Sequence, residues 1–432
     1  MSSIDKLKRL TGENMPLSVP HPAKKAQIDD LRRRIDDVVS HRRRNAPAFK
    51  VKVREDNLRE FVSGAEVHND CGKFFLASEV VCGSCRHGRR CIGESCGFDM
   101  AAAALLADNP RIGELTCADA LFLDTETTGL AGGTGTMAFL IGLGWFEAGN
   151  FRICQLLARD FGEEKAALAH FAGIAAKKKF LVTFNGKAFD VNLLATRFIM
   201  NRLPGDPASL PQLDLLHPSR RLLGHRLENS RLCTLEAEIM GLERAGDIPG
   251  WEIPQRYFDW LRRRDGRLLA AIFEHNRLDV ISMAVLAAHL TGIITAECPD
   301  GSIRADDYLS AARLLLKRSN AAGADKILNM LRQRNGADFS PPAKKKLAQL
   351  YKSTGQWHEA VQIWQEMTSC PPLEFSAVSE LAKWLEHRVR DYGRALRLVE
   401  SALDGGNDFS AAERDSLLHR YRRLQTKLAD GR

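Results

Sequence analysis

Four carboxylates and one imidazole carry the chemistry this sequence offers. Asp124 and Glu126 follow the apolar run Ala120-Leu-Phe-Leu123. At positions i and i+2 of an extended chain, both side chains project from one face of a sheet. Two carboxylates at the end of a buried strand repel each other unless a cation lies between them, so the pair suits a divalent metal. Asp190 closes the stretch Phe184-Asn-Gly-Lys-Ala-Phe-Asp190, where a buried strand breaks at Asn185-Gly186 and a helix begins. That places Asp190 near a helix N-terminus at the sheet edge. His275 and Asp279 are four residues apart, so on a helix they share one face and set an imidazole beside a carboxylate. Each of these residues taken singly fits a solvated turn acid or a cap; the set, in this order, points to a site.

The elements that must position them are legible in the surrounding pattern. Residues 118–296 alternate short apolar runs (120–123, 137–146, 151–157 and 180–184) with an amphipathic stretch at 163–178 and helical patterns after 185 and 275. Compact runs rich in β-branched and aromatic residues, spaced by helices, predict an α/β sheet domain. Residues 51–117 form a cysteine-bearing entry segment, with strand-like alternation at Phe49, Val51 and Val53 and a short helix from Ala101 to Ala107. Residues 1–50 hold charged runs broken by Pro16, Pro20, Pro22 and Pro47, which predicts a basic, partly disordered arm. From 303 to 432 the strand pattern disappears. Leu347-Ala348 recurs as Leu381-Ala382, and Trp357…Ala360-Val361 as Tyr392…Ala395-Leu396. A period near 34 residues predicts tetratricopeptide-like helical pairs, with Gly355 and Gly393 at the turns between paired helices.

Asp-x-Glu at 124–126, Asn-x3-Phe-Asp at 185–190 and the histidine with aspartate at 275–279 together resemble the three motifs of DEDD-type (DnaQ-like) 3′–5′ exonucleases. More closely, the middle of the chain resembles the YprB-type ribonuclease-H-like domain, supported by Asp124-Thr-Glu-Thr-Thr-Gly-Leu130 and Leu213-Asp-Leu-Leu-His-Pro218. The resemblance covers roughly residues 50–296, with the helical repeats following as they do in some members. It implies a ribonuclease-H-like mixed sheet flanked by helices and a two-metal phosphodiester hydrolase. Asp124, Glu126 and Asp279 would hold one Mg²⁺ or Mn²⁺, and Asp124 with Asp190 a second about 4 Å away. His275 would take the proton of the attacking water, a task suited to an imidazole near neutral pH. Asn185, Phe189 and the backbone around Thr127 would position the terminal nucleotide of DNA or RNA.

One feature departs from the family pattern. The histidine branch places four residues between His and Asp, the tyrosine branch three between Tyr and Asp; this chain has a histidine at the tyrosine branch's spacing. His275 is thus either the base or a residue that orients or caps. Three readings of function stand: the exonuclease, a ribonuclease-H-type endonuclease, and a non-catalytic nucleic-acid-binding or scaffold protein that keeps the fold.

Two further groups stand outside that set. Cys82, Cys85, Cys91 and Cys96 lie within 15 residues. Their Cys-x2-Cys start suits one structural Zn²⁺, reduced non-ligating thiols, or an iron–sulfur or redox role. Trp251 and Trp260 are loop anchors or base-stacking aromatics.

Composition sets outer bounds. The 432 residues are 44% apolar and 27% charged, which excludes wholesale disorder. Of the net charge of +8, +6 falls in residues 1–50, while 118–296 hold 20 basic and 20 acidic residues. Without the four proposed ligands that domain has 20 basic against 16 acidic residues, compatible with a phosphodiester partner. The longest uncharged stretch, 280–296, has 17 residues and is too short and polar for a membrane span. Ten cysteines and a start without an apolar core predict a reduced, cytoplasmic protein, with the repeats free to recruit a protein partner.

Overall fold

A short helical turn at Leu58–Glu60 precedes the first strands. The computed structural model describes residues 56–129, 135–297, 302–333, 340–369 and 371–429. The basic arm, the alternation at 49–53, most of the Gly-rich stretch 132–135, and Cys298 and Cys370 lie outside the described residues. The first strands are β1 (Ala65–Asn69) and β2 (Gly72–Val81), followed by a small hairpin of β3 (Arg86–His87) and β4 (Arg90–Cys91). Next come helix α1 (Met100–Ala107) and β5 (Ala120–Thr127), then β6 (Ala138–Glu147) and β7 (Asn150–Leu157). Helix α2 (Glu164–Ala175) leads to β8 (Phe180–Thr183), α3 (Asp190–Met200), β9 (Gln212–Asp214) and α4 (Leu216–Leu223). A short turn α5 (Leu232–Leu235), α6 (Ile253–Arg263) and the long α7 (Arg267–Thr295) complete this part.

Seven strands form one mixed sheet in the order β1-β2-β7-β6-β5-β8-β9. Its first five strands are antiparallel neighbours, whereas β5–β8 and β8–β9 are parallel. Strand β5 is covered on both faces, which explains its unbroken apolar start. Phe122 packs with Val280 and Met283 of α7 on one side, while Leu121 and Leu123 pack with Leu168 and Phe171 of α2 and Leu194 of α3 on the other. The alternation that buries these residues also sends Asp124 and Glu126 to the α7 side.

Helix α7 lies close to the sheet because two glycines on β6 leave room for it. Gly142 pairs with Asp124, and Gly144 with Phe122. A Cβ at Gly144 would sit 2.6 Å from Val280 Cγ1, and one at Gly142 would overlap the Asn276 amide. By length and composition α7 is apolar enough to cross a membrane, but its apolar stretch is mostly buried inside the protein. It begins 13 residues before the uncharged stretch that marked it in the sequence.

The rest of the chain is helical: α8 (Ala305–Lys317), α9 (Ala321–Gln333), α10 (Pro341–Ser353), α11 (Trp357–Met367), α12 (Phe375–Trp384), α13 (Tyr392–Asp404) and α14 (Ala411–Ala429). The recurring residues are buried in both copies: Leu347 and Ala348, Leu381 and Ala382, Ala360 and Ala395. Gly355, with φ +79°, makes the turn before α11. Gly393 does not make the equivalent turn. It is the second residue of α13, and the left-handed residue before that helix is Arg390, with φ +58°. One apolar core runs from Phe122 and Val280 through Leu309 of α8 to Leu424 of α14.

Candidate active site

The site grows from the last turn of pleat in β5. Asp124 faces α7, where the fully buried Asn276 donates from Nδ2 to Asp124 Oδ2 over 2.7 Å. Gln155 of β7 fixes that amide in turn, donating to Asn276 Oδ1 over 2.9 Å and to the Phe273 carbonyl over 2.8 Å. Asp190 begins α3 on the opposite side and accepts a short hydrogen bond from Thr125. Asp279, one turn beyond His275, is paired with Arg244 from the loop before α6. Arg244 also holds the fully buried Glu236 with two hydrogen bonds, one of 2.6 Å from Nε, and reaches Asp247 over 3.2 Å.

Asp124, Glu126 and Asp190 lie in a poorly solvated setting that disfavours their charged forms. Burial raises Asp124 and Glu126 far above the usual carboxylate range. For Asp124 the neighbouring charges of Asp279 and Asp190 add to it; for Glu126 those of Asp124, Asp279, Asp190 and Asp247 do. Burial pushes Asp190 up to about 6 in spite of its hydrogen bond from Thr125. Like charges gathered in a poorly solvated place are an incomplete arrangement that a hard divalent cation would complete, and oxygen donors are what such a cation takes.

The side chains do not yet converge on one point. Among the described residues, no three His, Cys, Asp or Glu side chains sit as a group that could hold a metal ion. The reason lies in their separate partners: Asn276 holds Asp124, Thr125 holds Asp190 and Arg244 holds Asp279. The donor set fits divalent metal in kind, since all four groups offer carboxylate oxygens.

His275 lies between two carboxylates. Its Nδ1 is 2.7 Å from Asp247 Oδ1, and its Nε2 is 3.7 Å from Asp279 Oδ2. Burial pushes Asp247 up, but the bond from His275 and the charge of Arg244 outweigh it and hold this carboxyl below its ordinary value.

The expected substrate-side residues come from two segments, the turn before α3 and the end of β5. Asn185 is exposed at φ +66°, a left-handed conformation that asparagine tolerates. Asp214 fixes this turn by accepting from the backbone amides of Asn185 (2.8 Å), Lys187 (3.1 Å) and Leu216 (3.0 Å). Phe189 is half-buried directly before α3, and Thr127 is buried, donating to the Gly129 carbonyl over 2.9 Å. A cleft of about 610 Å³ runs beside the site, bordered by Gln155, Phe273 and Arg277, but none of the four carboxylates lines it. The two tryptophans divide: Trp260 is fully buried and anchors its indole N–H on the Arg159 carbonyl, whereas Trp251 is 68% exposed, four residues from Asp247.

Among the described residues, the cysteine stretch forms no three-ligand group of the kind a structural Zn²⁺ takes. Cys82 and Cys85 touch through their side chains, and Cys91 lies on β4, paired with Arg86 next to Cys85. Cys82 lies beside Ser84 and Cys85 at an exposed turn. Cys91 caps the short turn that follows it, and Cys96 neighbours Cys117, whose thiol is raised to about 11 by burial with Cys96 adding to it. The β3–β4 hairpin is fixed instead by His87, whose Nε2 is 2.7 Å from Ser282 of α7.

Asn276 and Asp214 were within reach of sequence inspection, since both lie inside stretches that already stood out. Arg244 and Asp247 carried no such signal, because they reach the site from an aperiodic loop.

Comparison with known proteins bears on the same residues. The family model RNase_H_2, of the RNase_H superfamily, matches residues 121–291, from β5 to α7, and so takes in all five site residues. The chain is also 33% identical over 310 residues to a protein of Bacillus subtilis (strain 168) described as "Uncharacterized protein YprB". That similarity covers 71% of this chain and 74% of the other. This chain belongs to the YprB family. For the YprB family member described above, the mixed sheet with flanking helices is therefore a ribonuclease-H-like domain, followed by a helical C-terminal region.

Proposed function

We propose that this chain is a metal-dependent nuclease, specifically a 3′–5′ exonuclease that hydrolyses phosphodiester bonds of DNA or RNA. The observation that carries the reading is the closeness of Asp124 and Glu126 of β5 to Asp190 of α3 and Asp279 of α7, near enough for their charges to act on one another, with His275 beside Asp279. The RNase H superfamily domain supports it, since that superfamily consists largely of hydrolytic nucleases that use divalent metals. Two bound Mg²⁺ or Mn²⁺ ions would activate water and offset charge developing on the phosphate oxygens. Asp124, Glu126 and Asp279 would hold one, and Asp124 with Asp190 the other. His275 accepts the proton of the attacking water at Nε2. Exposed Asn185, Phe189 and the backbone near Thr127 hold the terminal nucleotide. The helical region, with its 34-residue period, is a tetratricopeptide-like platform for a protein partner, and reduced thiols suit a cytoplasmic setting.

A second reading, a nucleic-acid binder without catalysis, has one observation in its favour: Arg244 already neutralises Asp279. One experiment separates the two. Full-length protein and its Asp124→Ala variant are incubated with 5′-labelled single- and double-stranded DNA and RNA in Mg²⁺, Mn²⁺ or EDTA. The expected outcome is a ladder that shortens from the 3′ end, requires metal and falls at least 10²-fold in the variant. Internal cuts would show an endonuclease, and binding without any cleavage would leave the second reading standing.

A further inference from the structure

We infer that Asp247 is a positioning residue for His275: it fixes which ring nitrogen carries the proton and aims the other at the carboxylate cluster. This rests on the nuclease reading for its consequence in catalysis, but its geometry stands apart from it.

The histidine's spacing poses the problem that Asp247 solves. With three residues between His275 and Asp279, the two lie one helical turn apart on the same face of α7. A ring in that position can turn toward Asp279, toward solvent or along the helix, and the 3.7 Å approach to Asp279 is too long to fix it. The decision comes from the loop before α6. Asp247 Oδ1 stands 2.7 Å from His275 Nδ1, and an ionised carboxylate can only accept, so Nδ1 carries the proton. Nε2 is then the atom turned inward, 3.7 Å from Asp279 Oδ2 and beyond hydrogen-bond length. Its lone pair is left for a proton from elsewhere.

Asp247 is itself held firmly enough to act as a fixed point. Its Oδ1 accepts from the Ile248 amide over 2.8 Å, and its Oδ2 faces Arg244 Nη1 at 3.2 Å. Arg244 is nearly buried and is clamped by Glu236. The imidazole is therefore oriented by a carboxylate that is oriented by a guanidinium, the relation in which a base is kept in one tautomer.

The test uses the full-length chain, the variants Asp247→Asn and His275→Ala, and their combination. Thermal melts confirm that each is folded. In ¹⁵N-histidine spectra, His275 of the wild type is expected as the Nδ1–H tautomer, and Asp247→Asn is expected to shift it toward Nε2–H or a mixture. In the cleavage assay Asp247→Asn is expected to lower kcat by 10²-fold or more with little change in KM, and to have no further effect in the His275→Ala background. An unchanged tautomer in Asp247→Asn overturns the inference. So does an Asp247→Asn effect that persists undiminished without His275, which would mark Asp247 as merely structural. If the wild type cleaves no substrate while His275 shows the Asp247-dependent Nδ1–H tautomer, the nuclease reading falls and the positioning by Asp247 is upheld.

Discussion

At the residue scale, Asp190 shows how the site sets stability against function. Its folded pKa of about 6 exceeds the ordinary 3.8. The folded carboxyl thus holds its proton more tightly than the unfolded chain does. The associated stability is complete below about pH 4 and is lost as pH rises through 4 to 6. Above that window the metal-free protein carries a penalty on the order of 3 kcal/mol. Asp190→Asn removes the penalty while keeping a partner for Thr125. Its metal-free melting temperature is expected to exceed that of the wild type by a few degrees at pH 8 and to match it near pH 4, as differential scanning calorimetry would read. A stability gap independent of pH would contradict this account. Asp190 was identifiable from its motif; its raised pKa was not, because burial by Thr125, β5 and α3 is a property of the folded neighbourhood.

At the element scale, the distance between α7 and β6 decides whether the motif residues meet at all. Gly142, opposite Asp124, lets Asn276 reach that carboxylate. Gly142→Ala would push its new methyl into the Asn276 amide, forcing the helix or the amide aside. Overpacking of this kind costs about 1–3 kcal/mol. A loss of cleavage of at least tenfold is expected with it, since Asp124 and Asp279 separate when α7 moves. Urea denaturation and steady-state kinetics measure the two effects, and full activity in a folded variant would show that the close approach is dispensable. The strands and helices of the sheet domain were largely readable from apolar runs, among them 137–146, 151–157 and 180–184. Strands β1 and β2 were not, because β1 is only partly buried and β2 keeps five of its ten residues exposed, so neither shows a clean alternation. Gly393 misled for a related reason: a glycine marks a turn only where the backbone needs one, and here Arg390 supplies it.

At the scale of the whole molecule, the ribonuclease-H-like domain and the helical region share one core. Asp307 of α8 is fully buried between His225, 3.2 Å away, and Arg226, 3.0 Å away, both just beyond α4. It also caps its own helix by accepting from the Arg304 amide over 2.8 Å. Asp307→Ala would leave Arg226 buried with its charge uncompensated, a change worth about 3–5 kcal/mol. Hydrogen exchange is expected to accelerate across 305–429 before it does in the sheet. Uniform acceleration throughout the chain would instead show that the two parts open as a single unit.

Local order in the chain was enough for the carboxylates and for the elements that carry them. A strand's two-residue period puts Asp124 and Glu126 on one face, and a helix's period puts His275 one turn from Asp279, whatever the rest of the protein does. Relations between distant segments were beyond such periods. Arg244 on Asp279, Asp247 on His275 and the seat of Asp307 all depend on loops whose paths local propensity does not set. Packing sets them, because a buried charge or thiol settles beside whichever partner the folded chain brings near, and that partner is 28 residues away for His275 and 35 for Asp279.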